Sequence, residues 1–276
     1  MPAGKGLEDS SLRFYDAHNH LQDERFAGRQ DELIGACVRE GVDRMVVNGL
    51  GEEDWPRVRA LAQRHPQIIP SYGCHPWQVP ARTPDWQKTL ARFLDEIPGA
   101  AIGEIGLDRW KPGLDRTGQE EVFLWQLGLA AKRDLPVSIH CLQAWGRLHD
   151  LLRAEPRPGR GFLLHSYGGP AELVAPLAKL GAYFGFPGGF THEGKARRRD
   201  AFRQVPRDRL LIETDAPDQV PPPQQVVHPL LDAGGSPIHH PANLAAIYGF
   251  VAAWLHEPID ALTARLEQNF LRLFRS

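Results

Sequence analysis

The chain has 276 residues, of which 42% are hydrophobic and 24% are charged, and its formal net charge is −2. This length accommodates one large domain or two small ones, and the charge excludes proteins that coat nucleic acid through a global positive excess. The three cysteines are too few and too scattered for a disulfide framework, which indicates a reducing compartment. We expect a cytoplasmic protein without a membrane span or a secretory signal, in which residues 1–11 form a flexible leader.

Short apolar runs rich in β-branched residues recur along the chain and predict eight strands. Longer amphipathic segments alternate with them and predict helices. The strand candidates cover residues 12–20, 44–49, 68–76, 99–108, 135–141, 161–167, 181–186 and 209–217. The helical patterns cover residues 29–41, 53–65, 85–97, 119–134, 144–155 and 170–181, and two more follow a Pro-rich loop, at about 242–255 and 258–274.

Eight strand–helix units of about thirty residues each predict parallel strands joined by crossover helices. The competing solutions are a closed (β/α)8 barrel and a doubly wound open sheet. The count of eight and the polar residues at the strand ends favour the barrel, which at roughly 250 residues would occupy nearly the whole chain. We therefore expect a single α/β domain at 12–276, a TIM barrel with a C-terminal helical extension.

Polar side chains stand at the carboxyl ends of six of the predicted strands. In a parallel barrel these ends form one rim, where the active sites of this fold are built, so we expect the side chains to converge. They are His18 and His20 on the first strand, His75 on the third, Glu104 on the fourth, His140 on the fifth, His165 on the sixth and Asp215 on the eighth.

These residue types are typical of metal ligands. Asp16, His18 and His20 alternate, so they are expected on one side of the first strand, where the two imidazoles can bind one metal ion together. Imidazole and carboxylate ligands suit zinc, manganese or iron, and carboxylates also admit magnesium. The set exceeds what one catalytic zinc needs, which predicts two metal ions, with Glu104 as the bridging candidate.

Several other polar residues can be interpreted without a role in metal binding. His75 taken alone fits a hydrogen-bonded structural histidine as well as a site residue. The histidines of the loops, such as His239 and His240, fit locally bonded or solvated side chains, although loops at this end of a barrel often contact substrate. Glu213 fits a role behind the ligands better than direct ligation. The basic segment 195–199 fits a solvated helix face, although its position after the seventh strand also suits a phosphate clamp.

The ordered motifs resemble those of the TatD-type metal-dependent hydrolases, the TatD-like deoxyribonucleases, which are a branch of the amidohydrolase superfamily. The resemblance covers about residues 13–274, and each motif is weak alone but specific in this order. The motifs are DAHNHLQD (16–23), SYGCHPW (71–77), AIGEIGLD (101–108), QEEVFLWQLGLA (119–130), LPVSIHC (135–141), LLHSYGG (163–169), LLIETDAP (210–217) and NFLRLF (269–274).

The resemblance implies a (β/α)8 barrel with divalent metal ions, and phosphodiester hydrolysis, commonly of DNA with magnesium or manganese. Asp215 would also orient or deprotonate the attacking water, Glu104 would share in catalysis, and His75 would lie beside the substrate phosphate. The resemblance implies as metal ligands His18, His20, Glu104, His140, His165 and Asp215.

Two loops depart from the family pattern, at 187–200 and 218–241, and His239 and His240 stand where Asn and Glu or Gln are usual. These departures bear on the choice of substrate. An alternative is hydrolysis of a small ester, amide or phosphoester, but related enzymes of that kind often use a carboxylated lysine where this chain has Glu104. A barrel that only binds a partner predicts a lost ligand, and none is lost. The expected protein is a monomer acting on DNA or a small phosphodiester.

Overall fold

The computed structural model describes residues 12–274, so the leader expected at 1–11 lies outside the described residues. Eight strands form one parallel sheet in chain order. The strands are β1 (Phe14–Asn19), β2 (Val42–Asn48), β3 (Ile68–Tyr72), β4 (Ala101–Asp108), β5 (Val137–Leu142), β6 (Phe162–Leu164), β7 (Ala182–Pro187) and β8 (Leu210–Glu213). Backbone hydrogen bonds also join the ends of the first and last strands, from His20 N to Ala216 O and from Asp215 N to His18 O. The predicted TIM barrel is therefore confirmed, and the open sheet is excluded.

Helices alternate with the strands, because each crossover between parallel neighbours needs an element that covers the sheet. They are α1 (Gln30–Arg39), α2 (Trp55–Arg64), α3 (Trp86–Glu96), α4 (Arg116–Arg133), α5 (Trp145–Ala154), α6 (Val174–Lys179), α7 (Ala196–Phe202), α8 (Leu244–Leu255) and α9 (Ile259–Phe274). Within residues 12–274, no helix combines the length and apolar character needed to cross a bilayer.

The last two helices, α8 and α9, are the expected C-terminal extension, and they pack on the seam between β1 and β8. The hydroxyl of Tyr248 donates to Tyr15 O at 3.0 Å, and the amide of Asn269 donates to Leu210 O at 2.9 Å. Both anchors are buried, where an unpaired polar group would be costly. The extension therefore holds together the two strands whose carboxyl ends carry His18, His20 and Asp215.

Alternate residues of the strands belong to two buried clusters. Along β6, Leu163 belongs to one cluster, whereas Phe162 and Leu164 belong to the other, which also contains the apolar faces of the helices. The smaller cluster takes Tyr15, Ala17, Val46, Ala101, Leu163, Tyr183 and Leu211 from six strands and otherwise only residues of α9 and a partly buried residue of β3. This cluster therefore fills the interior of the barrel. The polar residues at the strand ends lie at the carboxyl end of that interior.

Candidate metal centre

All seven site residues predicted from the sequence lie together at the carboxyl ends of the strands. Within the described chain, three overlapping groups each bring one ligand atom per residue to within 4.8 Å of the others. The groups are His18, His20 and Asp215; His18, Glu104 and His165; and His75, Glu104 and His140. Every member is buried, and Glu104 and His18 each occur in two groups, so the groups form one continuous cluster.

The first half of the cluster is built on β1. The Nε2 atoms of His18 and His20 lie 3.2 Å apart, and each lies 3.6 Å from Asp215 Oδ1. The opposite ring atoms are held from outside: His18 Nδ1 lies 2.7 Å from Ser138 Oγ, and His20 Nδ1 lies 2.7 Å from Asn48 O. Because a carbonyl only accepts, Nδ1 of His20 carries a proton, and Nε2 of the neutral ring presents its lone pair to the centre.

Glu104 joins this half to the other histidines. Its Oε2 atom lies 3.5 Å from His18 Nε2 and 3.3 Å from His20 Nε2. Its Oε1 atom lies 2.8 Å from His165 Nε2, 2.9 Å from His140 Nδ1 and 3.4 Å from His75 Nε2. The two oxygens of one carboxylate thus face different sets of ring nitrogens.

The electrostatics of the cluster favour positive charge at its centre. Burial disfavours the charged form of His20, but the carboxylates of Glu104 and Asp215 outweigh it and raise the pKa of His20 to about 9. Burial likewise disfavours ionised Glu104, but the surrounding rings, His165 foremost, hold its pKa well below the usual value. Burial raises the pKa of Asp215 to about 7 against the opposing influence of His165 and His20.

These residues fit a centre for divalent cations. Within the described chain, His165 Nδ1 is buried without a hydrogen-bond partner, although most buried polar atoms are paired, and Glu104 Oε1 faces three ring nitrogens at once. The Nε2 atom of His20 and the carboxylate of Asp215 face the same space. Imidazole and carboxylate donors in this number match zinc or manganese, and the carboxylates also accept magnesium.

Asp16 does not join His18 and His20, contrary to the alternation expected along β1. It is fully buried and accepts hydrogen bonds from Thr214 N at 2.9 Å, Thr214 Oγ1 at 2.6 Å and Asn19 Nδ2 at 3.1 Å. The register between β1 and β2 shifts between Asp16 and Asn19, so strict alternation does not apply there. Asp16 therefore fixes the backbone just before Asp215, whose φ of 55° is left-handed and unusual for a residue other than glycine.

Asp108 is a site residue that the sequence reasoning did not select. Its Oδ2 atom lies 3.2 Å from His140 Nε2 and accepts the indole N–H of Trp77 at 2.7 Å. These contacts lower the pKa of Asp108 despite its burial, chiefly through His140. Asp108 lies four positions after Glu104 on the same strand, so a search of alternate positions along β4 would have found it.

Glu213 and the basic segment 195–199, which the sequence analysis also singled out, make contacts within the protein. Glu213 is fully buried, accepts from Ser166 Oγ at 3.0 Å, and lies 3.7 Å from His165 Nδ1, which places it behind the ligand atoms. In the basic segment, Arg199 donates to the carbonyl oxygens of Phe190 and His192, whereas Arg198 is exposed. A side chain added at Gly168 would overlap the Arg198 guanidinium, so Arg198 lies against the loop that follows His165.

The atypical histidines of the last loop are anchors that lie outside the metal-binding groups. His239 is fully buried, and its Nδ1 atom lies 2.9 Å from Thr214 O and 3.1 Å from Asp218 O. His240 Nδ1 accepts from Ala242 N at 3.0 Å and caps the turn before α8. Burial lowers the pKa of both rings to about 4. They are locally bonded, as expected, but buried rather than solvated.

The chain matches the family model described as TatD related DNase over residues 15–275. It is 28% identical over 264 residues to an uncharacterized metal-dependent hydrolase, YjjV, of Escherichia coli K12, covering 95% of this chain and 98% of the relative. It is 31% identical over 266 residues to a 3'-5' ssDNA/RNA exonuclease TatD of Citrobacter koseri, covering 94% of this chain and 98% of that one.

Solved structures agree with this match. The crystal structure of YjjV, a TatD homologue from Escherichia coli K12, superposes with a TM-score of 0.86 at 26% identity, over 96% of this chain and 99% of that chain. A TatD-family hydrolase from Entamoeba histolytica shares the fold, with a TM-score of 0.82 at 18% identity, over 96% of this chain and 99% of that chain. The chain belongs to the TatD-related DNase family of metal-dependent hydrolases.

Proposed function

We propose that this hydrolase cleaves phosphodiester bonds in single-stranded nucleic acid, with DNA as its principal substrate. The observation that carries the proposal is the position of Glu104, whose Oε2 faces His18 and His20 while its Oε1 faces His140 and His165. A carboxylate in this position suits a bridge between two cations. A pair of cations suits displacement at phosphorus, where charge develops on both the attacking and the leaving oxygen.

The proposed metal ligands are the members of the cluster other than His75, and each presents a ring nitrogen or a carboxylate oxygen to its centre. We assign two divalent cations, magnesium, manganese or zinc, to His18, His20, Glu104, His140, His165 and Asp215. When bound, such cations lower the pKa of water and stabilise negative charge on phosphoryl oxygens. Glu104 is the residue on which both halves of the site depend.

His75 is proposed to bind the substrate rather than a metal ion. Its Nδ1 atom accepts the backbone N–H of Trp77 at 3.1 Å, so in the neutral ring the proton resides on Nε2. Burial lowers the pKa of His75 to about 4, which keeps the ring neutral at physiological pH. A neutral ring with a protonated Nε2 donates a hydrogen bond but offers no lone pair there, which suits a phosphoryl oxygen.

Asp215 is proposed as the general base. Burial raises its pKa to about 7 against the opposing influence of His165 and His20, and a positioned carboxylate is a common general base. Its Oδ1 atom lies 3.6 Å from both His18 Nε2 and His20 Nε2, at the edge of the space enclosed by the cluster. In this mechanism Asp215 orients the attacking water and accepts its proton while His75 holds the phosphate.

The choice of a nucleic acid rests on the relatives. Several of them, including the one from Citrobacter koseri, carry the name 3'-5' ssDNA/RNA exonuclease. The loops at 187–200 and 218–241 differ from the family pattern, and we propose that they change the preferred substrate or its length. Three buried free cysteines support the proposed cytoplasmic location, and a monomer is the proposed state.

The test is cleavage of a labelled single-stranded DNA oligonucleotide by protein treated with EDTA and then resupplied with magnesium, manganese or zinc. Metal-dependent shortening that disappears in Asp215→Asn is the expected result. The matched control is Asp218→Asn, which changes an exposed carboxylate paired with Arg25 in the same loop and should retain activity. Metal-loaded protein that leaves DNA and RNA intact would contradict the proposal and direct the search to small phosphodiesters, esters and amides.

A further inference from the structure

Two exposed tryptophans lie beside the metal centre and contact the same carboxylate. Among the described residues that are large, hydrophobic and exposed, the only aromatic ones are Trp77, which is 39% exposed, and Trp110, which is 61% exposed. The Trp77 indole N–H donates to Asp108 Oδ2 at 2.7 Å, and the Trp110 backbone N–H donates to Asp108 Oδ1 at 2.8 Å. Because Asp108 also contacts His140, the indole of Trp77 and the backbone of Trp110 are tied to the rim of the cluster.

Trp77 is held in place although much of its ring is exposed. Its backbone N–H donates to His75 Nδ1, and its ring centroid lies 5.0 Å from that of His75 and 6.2 Å from that of His140. The bond to Asp108 fixes the edge of the indole. A large aromatic side chain that is rigidly held but only partly covered is typical of a binding surface. Because the ring is already held in one conformation, it loses little conformational entropy when a ligand stacks on it.

A cation accompanies this ring. Lys111 Nζ lies 4.5 Å from the centroid of Trp77, and the Lys111 backbone N–H donates to Asp108 at 3.0 Å. Within residues 12–274, the exposed ammonium of Lys111 forms no ion pair with a carboxylate. A flexible ammonium beside an aromatic face matches the two parts of a nucleotide, because a base stacks on the ring while a phosphate attracts the cation.

We propose that Trp77 stacks on a nucleobase of a single-stranded substrate and that Lys111 contacts an adjacent phosphate. This inference rests on the proposed function for the class of substrate and adds the subsite that holds the strand. The base must be unstacked to reach the ring, so the subsite selects single strands over duplexes. Stacking is tolerant of sequence, because every base has a π-face.

The test measures binding of single-stranded oligonucleotides that carry one 2-aminopurine or one abasic position, scanned along the strand. The metal-loaded protein in the Asp215→Asn background serves for these measurements, because it should bind without cleaving. At the position that reaches Trp77, the abasic oligonucleotide should bind about tenfold more weakly, and 2-aminopurine fluorescence should be quenched. Trp77→Leu should bind the intact oligonucleotide about tenfold more weakly and should no longer distinguish it from the abasic one.

Variants separate stacking from support of the metal centre. Trp77→Phe keeps an aromatic face but loses the indole N–H to Asp108, so it should bind more tightly than Trp77→Leu. If Trp77 served only to position Asp108, both variants would lose affinity and metal content equally, and the effect of the abasic position would persist. Trp254→Leu is the matched control, since this ring on α8 also lies beneath a cation, with Arg203 Cζ 5.0 Å from its centroid, and its loss should leave binding unchanged.

The outcomes also distinguish this inference from the proposed function. Base-dependent binding lost in Trp77→Leu, without cleavage by the protein with native Asp215, would support the subsite and overturn the nuclease proposal. Cleavage with the same KM in wild type and Trp77→Leu would support the nuclease and overturn the subsite. Failure to bind or cleave any single strand would overturn both. Lys111→Ala should reduce the salt dependence of binding by about one phosphate contact, and an unchanged salt dependence would remove Lys111 from the subsite.

Discussion

Asp16 on β1 accepts two hydrogen bonds from Thr214, one from the backbone N–H at 2.9 Å and one from the hydroxyl at 2.6 Å. This contact connects the first strand to the residue that precedes Asp215. Both groups are fully buried. The same contact thus closes the barrel and fixes the backbone that carries Asp215.

Replacing Thr214 by Val should lower the free energy of unfolding by about 1–3 kcal/mol, because it removes one donor from a buried carboxyl group. Urea denaturation at constant pH measures this change. The matched control is Thr89→Val on α3, whose hydroxyl donates at 3.3 Å to Asp85 O near the surface and should contribute less. If the free energy of unfolding fell equally in the two variants, the Asp16–Thr214 hydrogen bond would stabilise the fold no more than a bond near the surface.

The double variant His18→Ala and His20→Ala should lose one metal equivalent per chain. Metal affinity depends on the ligands that are present, and the two Nε2 atoms, 3.2 Å apart, face the same half of the cluster. The number of metal ions per chain is measured by elemental analysis after the protein has been loaded with manganese or zinc and desalted. His240→Ala removes a buried histidine that caps a turn and should keep the full metal content. Unchanged metal content in the double variant would contradict the assignment of this half.

The barrel was predictable from the sequence because the spacing of apolar residues in each segment shows which of its faces is buried. Eight apolar runs alternate with amphipathic ones, and this count together with the polar residues at the strand ends favours a closed parallel sheet over an open one. The side-chain types at those ends then indicated His18, Glu104 and Asp215 as neighbours, and the structure places them together. The helix predicted at 170–181 was less regular than expected: its α-helical part covers Val174–Lys179, after a 3-10 turn at Ala171–Leu173.

Contacts that depend on local irregularity were not predictable. Strict alternation placed Asp16 beside His18, whereas the register shift before Asn19 directs its carboxylate to Thr214. Trp77 and Asp108 are 31 positions apart, and no sequence pattern specifies the hydrogen bond between them. The burial of His239 depends on how a long loop folds back over the segment after β8, which the composition of that loop does not determine.

Replacing Asp108 by Asn should reduce kcat/KM or metal affinity by about 10- to 100-fold, because groups that orient a metal ligand typically matter to this extent. The Oδ2 atom of Asp108 accepts from His140 and Trp77, and an amide nitrogen there cannot accept from either. Steady-state kinetics on an oligonucleotide together with metal titration measure the effect. Asp115→Asn is the matched control, because it keeps an N-cap of α4 and should stay within about twofold. Wild-type values in Asp108→Asn would exclude a positioning role.

The stability of the fold should depend on pH through His239. Burial lowers the pKa of His239 to about 4 in the native state, whereas the ordinary value in an unfolded chain is 6.5. Between these values the unfolded state binds one proton more than the native state, so this contribution to the free energy of unfolding is complete above pH 6.5 and is lost as the pH falls toward 4. Its size is roughly 3 kcal/mol, from about 1.4 kcal/mol per unit of pKa difference.

His239→Asn, which replaces the ring by an amide that does not titrate, should remove that dependence. Urea denaturation of both proteins at pH 8, 7, 6, 5 and 4.5 gives the difference in their unfolding free energies at each pH. From pH 8 to 7 the difference should be constant, which serves as the internal control, and below pH 6.5 it should shift in favour of the variant. The Nδ1 contacts with Thr214 O and Asp218 O hold the ring in its buried position. A difference that stays constant down to pH 4.5 would mean that the ring accepts a proton without leaving this position, which would contradict the buried, neutral histidine.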